Sequence, residues 1–175
     1  MGTPLLVVCM GVSGSGKSTL SRALATEMNW PFVEADDFHS DESRAQMRSG
    51  QPLSDSDREP WMFAIVEQLR ELAARNQSCV MAHSALRRVH RDMLRNAGMS
   101  TQFLFLDCSS DMIAERLQLR ENHFMPVDLL SSQYRALEPP IDEPDVVRLN
   151  AADTPQTLLT VALTTLNQVK KVSHA

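Results

Sequence analysis

Eight consecutive residues, Gly11-Val12-Ser13-Gly14-Ser15-Gly16-Lys17-Ser18, have the Walker A spacing: two glycines with four residues between them, then Lys-Ser. An apolar, β-type run ends just before them, and a run of helical period follows from residue 20 to 28. In that setting the glycines let the backbone turn with its N–H groups facing inward, where they and the helix N-terminus donate to phosphate oxygens. Lys17 would reach the β- and γ-phosphates, and Ser18 would offer its hydroxyl to a magnesium ion bridging them. With Thr19, these residues are the expected contacts of ATP or GTP. The spacing does not by itself distinguish a kinase from a switch, motor or transporter.

A second group of reactive side chains is the carboxylate cluster Glu34-Ala35-Asp36-Asp37-Phe38-His39. It closes another β-type run, and open parallel sheets bind ligands at the carboxyl ends of their strands. Alternation along an extended chain would put Glu34 and Asp36 on one side and Asp37 on the other. Asp36 is then the expected general base for an acceptor hydroxyl, and Glu34 a magnesium ligand through water. The plain alternative is an acidic loop in which Asp37 or Ser40 caps the next helix. His39 reads equally as an acceptor ligand or as a loop residue that hydrogen-bonds locally.

Short apolar runs at residues 5–10, 32–35, 79–82, 103–106 and 146–149 alternate with longer segments of helical period, which predicts a parallel sheet covered on both faces. After Arg58, the spacing of Trp61, Ile65, Leu69 and Leu72 predicts a helix packed on that sheet. Residues 37–60, with two prolines, a glycine and many charges, read as an acceptor-binding cap, and residues 116–130 as a lid. The whole chain, 1–175, reads as a single domain. A formal net charge of −5, with both signs mixed along the chain, disfavours a nucleic-acid partner. The apolar start is far shorter than the roughly 20 residues of a membrane span. Cys9, Cys79 and Cys108 have no metal-ligand spacing and read as reduced thiols, so a cytoplasmic protein is expected.

The strings GVSGSGKS, EADDFHS, GQPLSDSDREPW, SALRRVHRD, RENHF and SSQYRALEPP, in this order and spacing over residues 7 to 140, resemble the gluconokinases. The resemblance implies a three-layer α/β/α P-loop NTPase fold with a five-stranded parallel sheet, like shikimate and nucleoside monophosphate kinases, with a substrate cap and a lid. It implies transfer of the γ-phosphate of ATP to the 6-hydroxyl of D-gluconate, with magnesium, in a homodimer. Gluconate, the expected partner beside ATP, is a polyol carrying a carboxylate, so its site needs fixed cations and hydrogen-bonding groups. Arg58 is the leading carboxylate ligand, with an ion pair to Asp55 or Asp57 as the alternative. Ser84 and Arg88 follow the third strand run and are expected to face the acceptor, whereas Arg87 and Arg91 share a helical face and read as solvated or paired. Trp61 reads as core or as a flat face for the sugar chain. His83 stands where the family pattern has a cysteine. Arg116 and Arg120 are expected to bring positive charge to the phosphates, Arg120 catalytically, and His123 to meet the acceptor.

Shikimate and nucleoside monophosphate kinases would show other acceptor strings. A regulatory nucleotide-binding module would have no use for Asp36, Arg58 and a lid arginine around the γ-phosphate. A nucleic-acid 5'-hydroxyl kinase would carry a basic groove.

Overall fold

The computed structural model describes residues 2–118 and 127–172. Five strands, β1 (Leu5–Met10), β2 (Phe32–Glu34), β3 (Cys79–Ala82), β4 (Ser100–Asp107) and β5 (Val146–Asn150), pair in parallel in the order β2-β3-β1-β4-β5. The expected strands are all present. Successive side chains of a strand point to opposite faces, so β1 serves two cores. Leu6, Val8 and Met10 pack with Trp61, Ile65 and Leu69 of helix α3 (Asp55–Ala74). Leu5, Val7 and Cys9 pack with Leu20 and Leu24 of α1 (Lys17–Met28) and with Leu158, Ala162 and Leu166 of α7 (Pro155–Val172). Both faces are therefore covered by helices, which is why β1 and β3, in the middle of the sheet, are continuously apolar. Each such aliphatic side chain withdrawn from water contributes about 1.5–3 kcal/mol.

The segment between β2 and β3 departs from the periodicity. The chain leaves β2 at Glu34 and enters a 3-10 turn, Ala35–Phe38, followed by α2 (Asp41–Arg48), whose N-cap Ser40 accepts from the Ser43 N–H. No residue of α2 is buried. Helix α3 starts at Asp55, several residues before its apolar stripe, because Ser54 and Asp57 form a capping box: Ser54 Oγ accepts from Asp57 N, and Asp57 Oδ2 accepts from Ser54 N. Arg58 and Pro60 thus lie inside the helix, and Pro60 does not begin it.

Helix α4 (Arg88–Arg95) is fastened by charge. Arg91, expected to be solvated or locally paired, is fully buried. Its Nε and Nη2 donate to the two oxygens of Glu143 at 2.9 and 2.6 Å, and its Nη1 donates to the carbonyls of Ala85 and Leu86 at 2.9 and 3.1 Å. Arg95 joins the cluster through Glu143 and Asp145. The two guanidinium groups hold the Glu143 pKa down to about 2, below the ordinary 4.5. A carboxylate with a depressed pKa stabilises the fold in full above its unfolded value, and this contribution fades as pH falls from about 4.5 toward 2. Glu143→Gln is expected to lower the unfolding free energy at pH 7 by about 3 kcal/mol and to flatten its decline below pH 5, measured by urea denaturation. A variant that kept the parent's acid profile would contradict this assignment.

Candidate active site

At the carboxyl end of β1 the chain turns at Gly11, whose N–H donates to the Ser84 carbonyl at 3.2 Å. A Cβ at Gly11 would lie 2.8 Å from the Leu106 carbonyl and 2.9 Å from Ser15 Oγ, so only glycine fits between β1 and β4. Gly14 and Gly16 have positive φ, and Gly16 is the residue from which α1 begins. Ser15 N–H closes the turn on the Val12 carbonyl. Lys17 folds back over the loop, with Nζ donating to the Val12 carbonyl at 3.0 Å. Burial lowers the Lys17 pKa, and the carboxylates Asp36 and Glu34 pull it partly back. This arrangement fits an anion: a phosphate beside Lys17 would supply the charge that its surroundings only partly give.

Ser18 Oγ donates to Glu34 Oε2 at 2.7 Å. Burial raises the Glu34 pKa, an effect the Ser18 bond offsets only in part. Two hard oxygens side by side next to the loop fit a magnesium ion that takes its other ligands from phosphate and water. Among the described residues no group of three or more His, Cys, Asp or Glu forms a metal cage.

The loop opens on a cavity of about 580 Å³, large enough for a small polar substrate. Ser13 and Lys17 form part of its wall, and Glu34, Asp36 and Asp37 another part. Asp37 is not turned away from its neighbours as strand alternation predicts, because the backbone is already in a 3-10 turn. The Asp36 side chain is 83 % exposed, free to meet an incoming hydroxyl. Arg58 and Arg87 also line the cavity and share Asp55, which lies 3.6 Å from Arg58 Nη1 and accepts a short hydrogen bond from Arg87. Arg58 thus lines the cavity while it pairs with Asp55.

Trp61 is buried between two imidazoles, stacked at 4.4 Å on His39 and 4.7 Å on His83, while its indole N–H donates to the Ala35 carbonyl at 2.7 Å. Buried in this stack at one side of the cavity, it holds the wall together. His83 Nδ1 accepts from Ala85 N–H at 2.8 Å, and Nε2 lies 3.2 Å from the Met62 sulfur. Burial takes the His83 pKa down to about 3, so the ring is neutral at physiological pH and its free lone pair is on Nδ1. Ala85 itself has φ +45°, in a region that side chains rarely adopt. His83 and Arg91 together hold this strained turn, which carries Ser84, Leu86 and Arg87 along the cavity. His83→Leu, which leaves the Ala85 N–H without its acceptor, is expected to cost about 1–3 kcal/mol of stability, and His83→Asn distinctly less, because Asn Oδ1 can stand in for Nδ1. Equal losses in thermal unfolding would contradict the role given to that bond.

Of the residues singled out in the sequence, Ser13, Lys17, Glu34, Asp36, His39, Arg58 and Ser84 come together around the cavity. His39 is buried, with Nε2 3.9 Å from Asp36 Oδ1 and no partner for Nδ1 among the described residues. Val12 is buried under Leu86 and Leu130, and Thr19 is exposed on α1. Arg88 is not brought to the cavity: it is exposed as the first residue of α4, and its N–H donates to Glu138 at 2.6 Å. Arg87, the N-cap, faces the cavity instead. Arg116, on α5 (Ser110–Gln118), bonds the Ala151 carbonyl and, at 3.5 Å, the Ser15 carbonyl, which puts its charge beside the phosphate loop. Arg120 and His123 lie outside the described residues. Asp107, at the end of β4, pairs with Arg148, and Ser109 Oγ accepts from Met112 N at the start of α5. Sequence reasoning missed Arg44, which holds the acidic turn by donating to the Asp37 and His39 carbonyls, as well as His90 and Gln133 in the cavity wall. His90 and Gln133 stand inside the SALRRVHRD and SSQYRALEPP strings, and Arg44 lies four residues past EADDFHS, but nothing in their spacing sets them apart.

Comparison with known proteins identifies the family. Residues 6–140 match the family described as AAA domain. The chain is 41% identical over 156 residues to a gluconokinase of Gluconobacter oxydans, covering 89% of this chain and 88% of that one. Among solved structures, a sugar kinase from Janibacter sp. superposes with a TM-score of 0.89 at 41% identity, covering 94% of this chain and 95% of that one. A gluconokinase from Sinorhizobium meliloti superposes with a TM-score of 0.88 at 37% identity, covering 99% and 98%. With a nucleotide-binding loop, an acceptor wall and likeness of this extent, the chain belongs to the gluconokinase family of P-loop kinases.

Proposed function

We propose that this protein transfers the γ-phosphate of ATP to the 6-hydroxyl of D-gluconate, giving 6-phosphogluconate and ADP. The observation that carries the proposal is the shared cavity, lined by Ser13 and Lys17 of the phosphate loop and by Asp36, Arg58 and Arg87. A nucleotide-binding module without an acceptor would need only the first pair. The identity of the acceptor rests on the relatives named gluconokinase.

In this reading the loop N–H groups and Lys17 hold the triphosphate and meet the charge that builds on the transferred group. Ser18 directly, and Glu34 through water, would hold magnesium, which when bound neutralises charge on the phosphates. Asp36 orients the acceptor hydroxyl and takes its proton as the new O–P bond forms. Arg58 and Arg87 receive the gluconate carboxylate, for which a planar guanidinium is the matching donor. His39, whose Nε2 is turned toward Asp36, and Ser84 line the cavity and bond hydroxyls of the polyol. Arg116 contributes charge from behind the loop. Residues 37–60 act as the acceptor-binding cap. The reading carries with it a homodimeric state and a cytoplasmic location; among the described residues no helix is long and apolar enough to cross a membrane.

An ADP-release assay with magnesium and ATP, run over gluconate, shikimate, glycerate, other aldonic acids and nucleoside monophosphates, tests the substrate. Turnover selective for gluconate is expected; turnover on another acceptor would keep the kinase and replace its substrate, and none at all would favour a regulatory module. Asp36→Asn should lower kcat by about 10²–10⁴-fold while ATP binding stays near that of the parent. Full turnover in this variant would remove Asp36 as the base.

A further inference from the structure

The cavity holds one hydrogen bond that the proposed chemistry does not use. Ser13 N–H, in the middle of the phosphate loop, donates to Gln133 Oε1 at 2.7 Å, and both residues line the cavity. Gln133 is on α6 (Val127–Ala136), far from the loop in sequence but clamped against it in space. Leu130 of α6 is buried with Val12, Leu86 and Ile113, and Tyr134 OH donates to the Cys108 carbonyl at 2.9 Å. Just past α6, Glu138 N–H donates to the Leu86 carbonyl at 2.8 Å. These contacts fix the backbone on both sides of Gln133, so its carboxamide is presented to the loop with little freedom.

A backbone N–H of this loop is an anion donor by design of the turn, and it can serve one good acceptor at a time. The Gln133 carboxamide oxygen and a phosphate oxygen are therefore rivals for the same proton. We infer that Gln133 sets the ATP affinity of the loop by competing for the Ser13 N–H, so that nucleotide binding includes exchange of this bond from α6 to phosphate. The inference rests on the phosphate-transfer reading of the site and adds a residue that tunes it. Gln133 is a positioning residue: it acts through Ser13, with no role in the chemical step.

The exchange makes opposite predictions for two substitutions. Gln133→Leu removes the rival and leaves Ser13 N–H for the nucleotide, so ATP should bind about fivefold more tightly. Gln133→Glu offers a charged, stronger acceptor that also repels phosphate, so ATP should bind at least about tenfold more weakly. A purely structural role would weaken binding in both. The measurement is calorimetric titration of each full-length variant with ATP and magnesium, with thermal unfolding as the check on folding. Should the leucine variant fold poorly, Gln133→Asn, too short to reach Ser13, carries the same expectation of tighter binding. Unchanged or weaker ATP binding by the leucine or asparagine variant, or shifts of the same sign in the leucine and glutamate variants, would overturn the inference. A parent protein that bound no ATP would instead sink the phosphate-transfer reading beneath it.

Discussion

Parallel pairing of β1 with β3, and of β3 with β2, sets everything that happens at this site. Cys9, Ala82 and Glu34 stand level across the sheet, because Cys9 pairs with Ala82 and Ala82 with Glu34. Parallel strands deliver their carboxyl ends to one edge, so the residues just beyond that row emerge together: Gly11 and the phosphate loop, Asp36 and its turn, Ser84 and Arg87. An antiparallel partner would have carried one of these groups to the far edge. The two apolar cores hold the strands in this register, since a slip of one residue would exchange the faces of β1 and put each core side chain on the wrong side.

On this frame the charges are arranged so that ligands complete them. Lys17 sits where burial works against its charge and the carboxylates answer it only in part. Glu34 is pressed toward its neutral form by burial and held by Ser18. Arg58 is likewise disfavoured by burial, with Asp55 supporting its charge and Arg87 opposing it. Each of these groups gains from an opposite charge brought in by nucleotide, metal or acceptor, so binding energy is available at the places where the chemistry needs it. The Arg91–Glu143 pair is the contrast: its charges satisfy each other and keep the wall rigid.

Much of this was readable from residue order, and the failures have definite causes. The central strands β1, β3 and β4 were visible because strands buried on both faces have apolar runs, and the edge strands β2 and β5 because each keeps a short β-type run. The phosphate loop was visible because its glycine and lysine spacing is set by geometry close to the backbone. The start of α3 was misplaced because the apolar stripe begins at Trp61, whereas Ser54 and Asp57 start the helix through polar bonds that hydrophobic period does not register. Asp37 was assigned to the wrong face because the chain ceases to be a strand at Glu34. Arg88 is the exposed first residue of α4, and it is the N-cap Arg87 that lines the cavity, a distinction the apolar pattern does not carry. Arg91 was beyond reach: its partner Glu143 is 52 residues away, and nothing local distinguishes a buried arginine from a solvated one. His83, noted only as a departure from the family's cysteine, proves to be a structural acceptor for a strained turn.

In the proposed reaction a phosphoryl group passes from ATP to a primary hydroxyl held beside Asp36. Its most direct test is phosphorus NMR of the product formed from ATP and gluconate, recorded with proton coupling. The account predicts a new phosphate monoester resonance split by the two protons of a terminal methylene, growing in step with ADP. A resonance split by a single proton would place the phosphate on a secondary hydroxyl, and an unsplit signal of inorganic phosphate would mean transfer to water; either result would contradict the account.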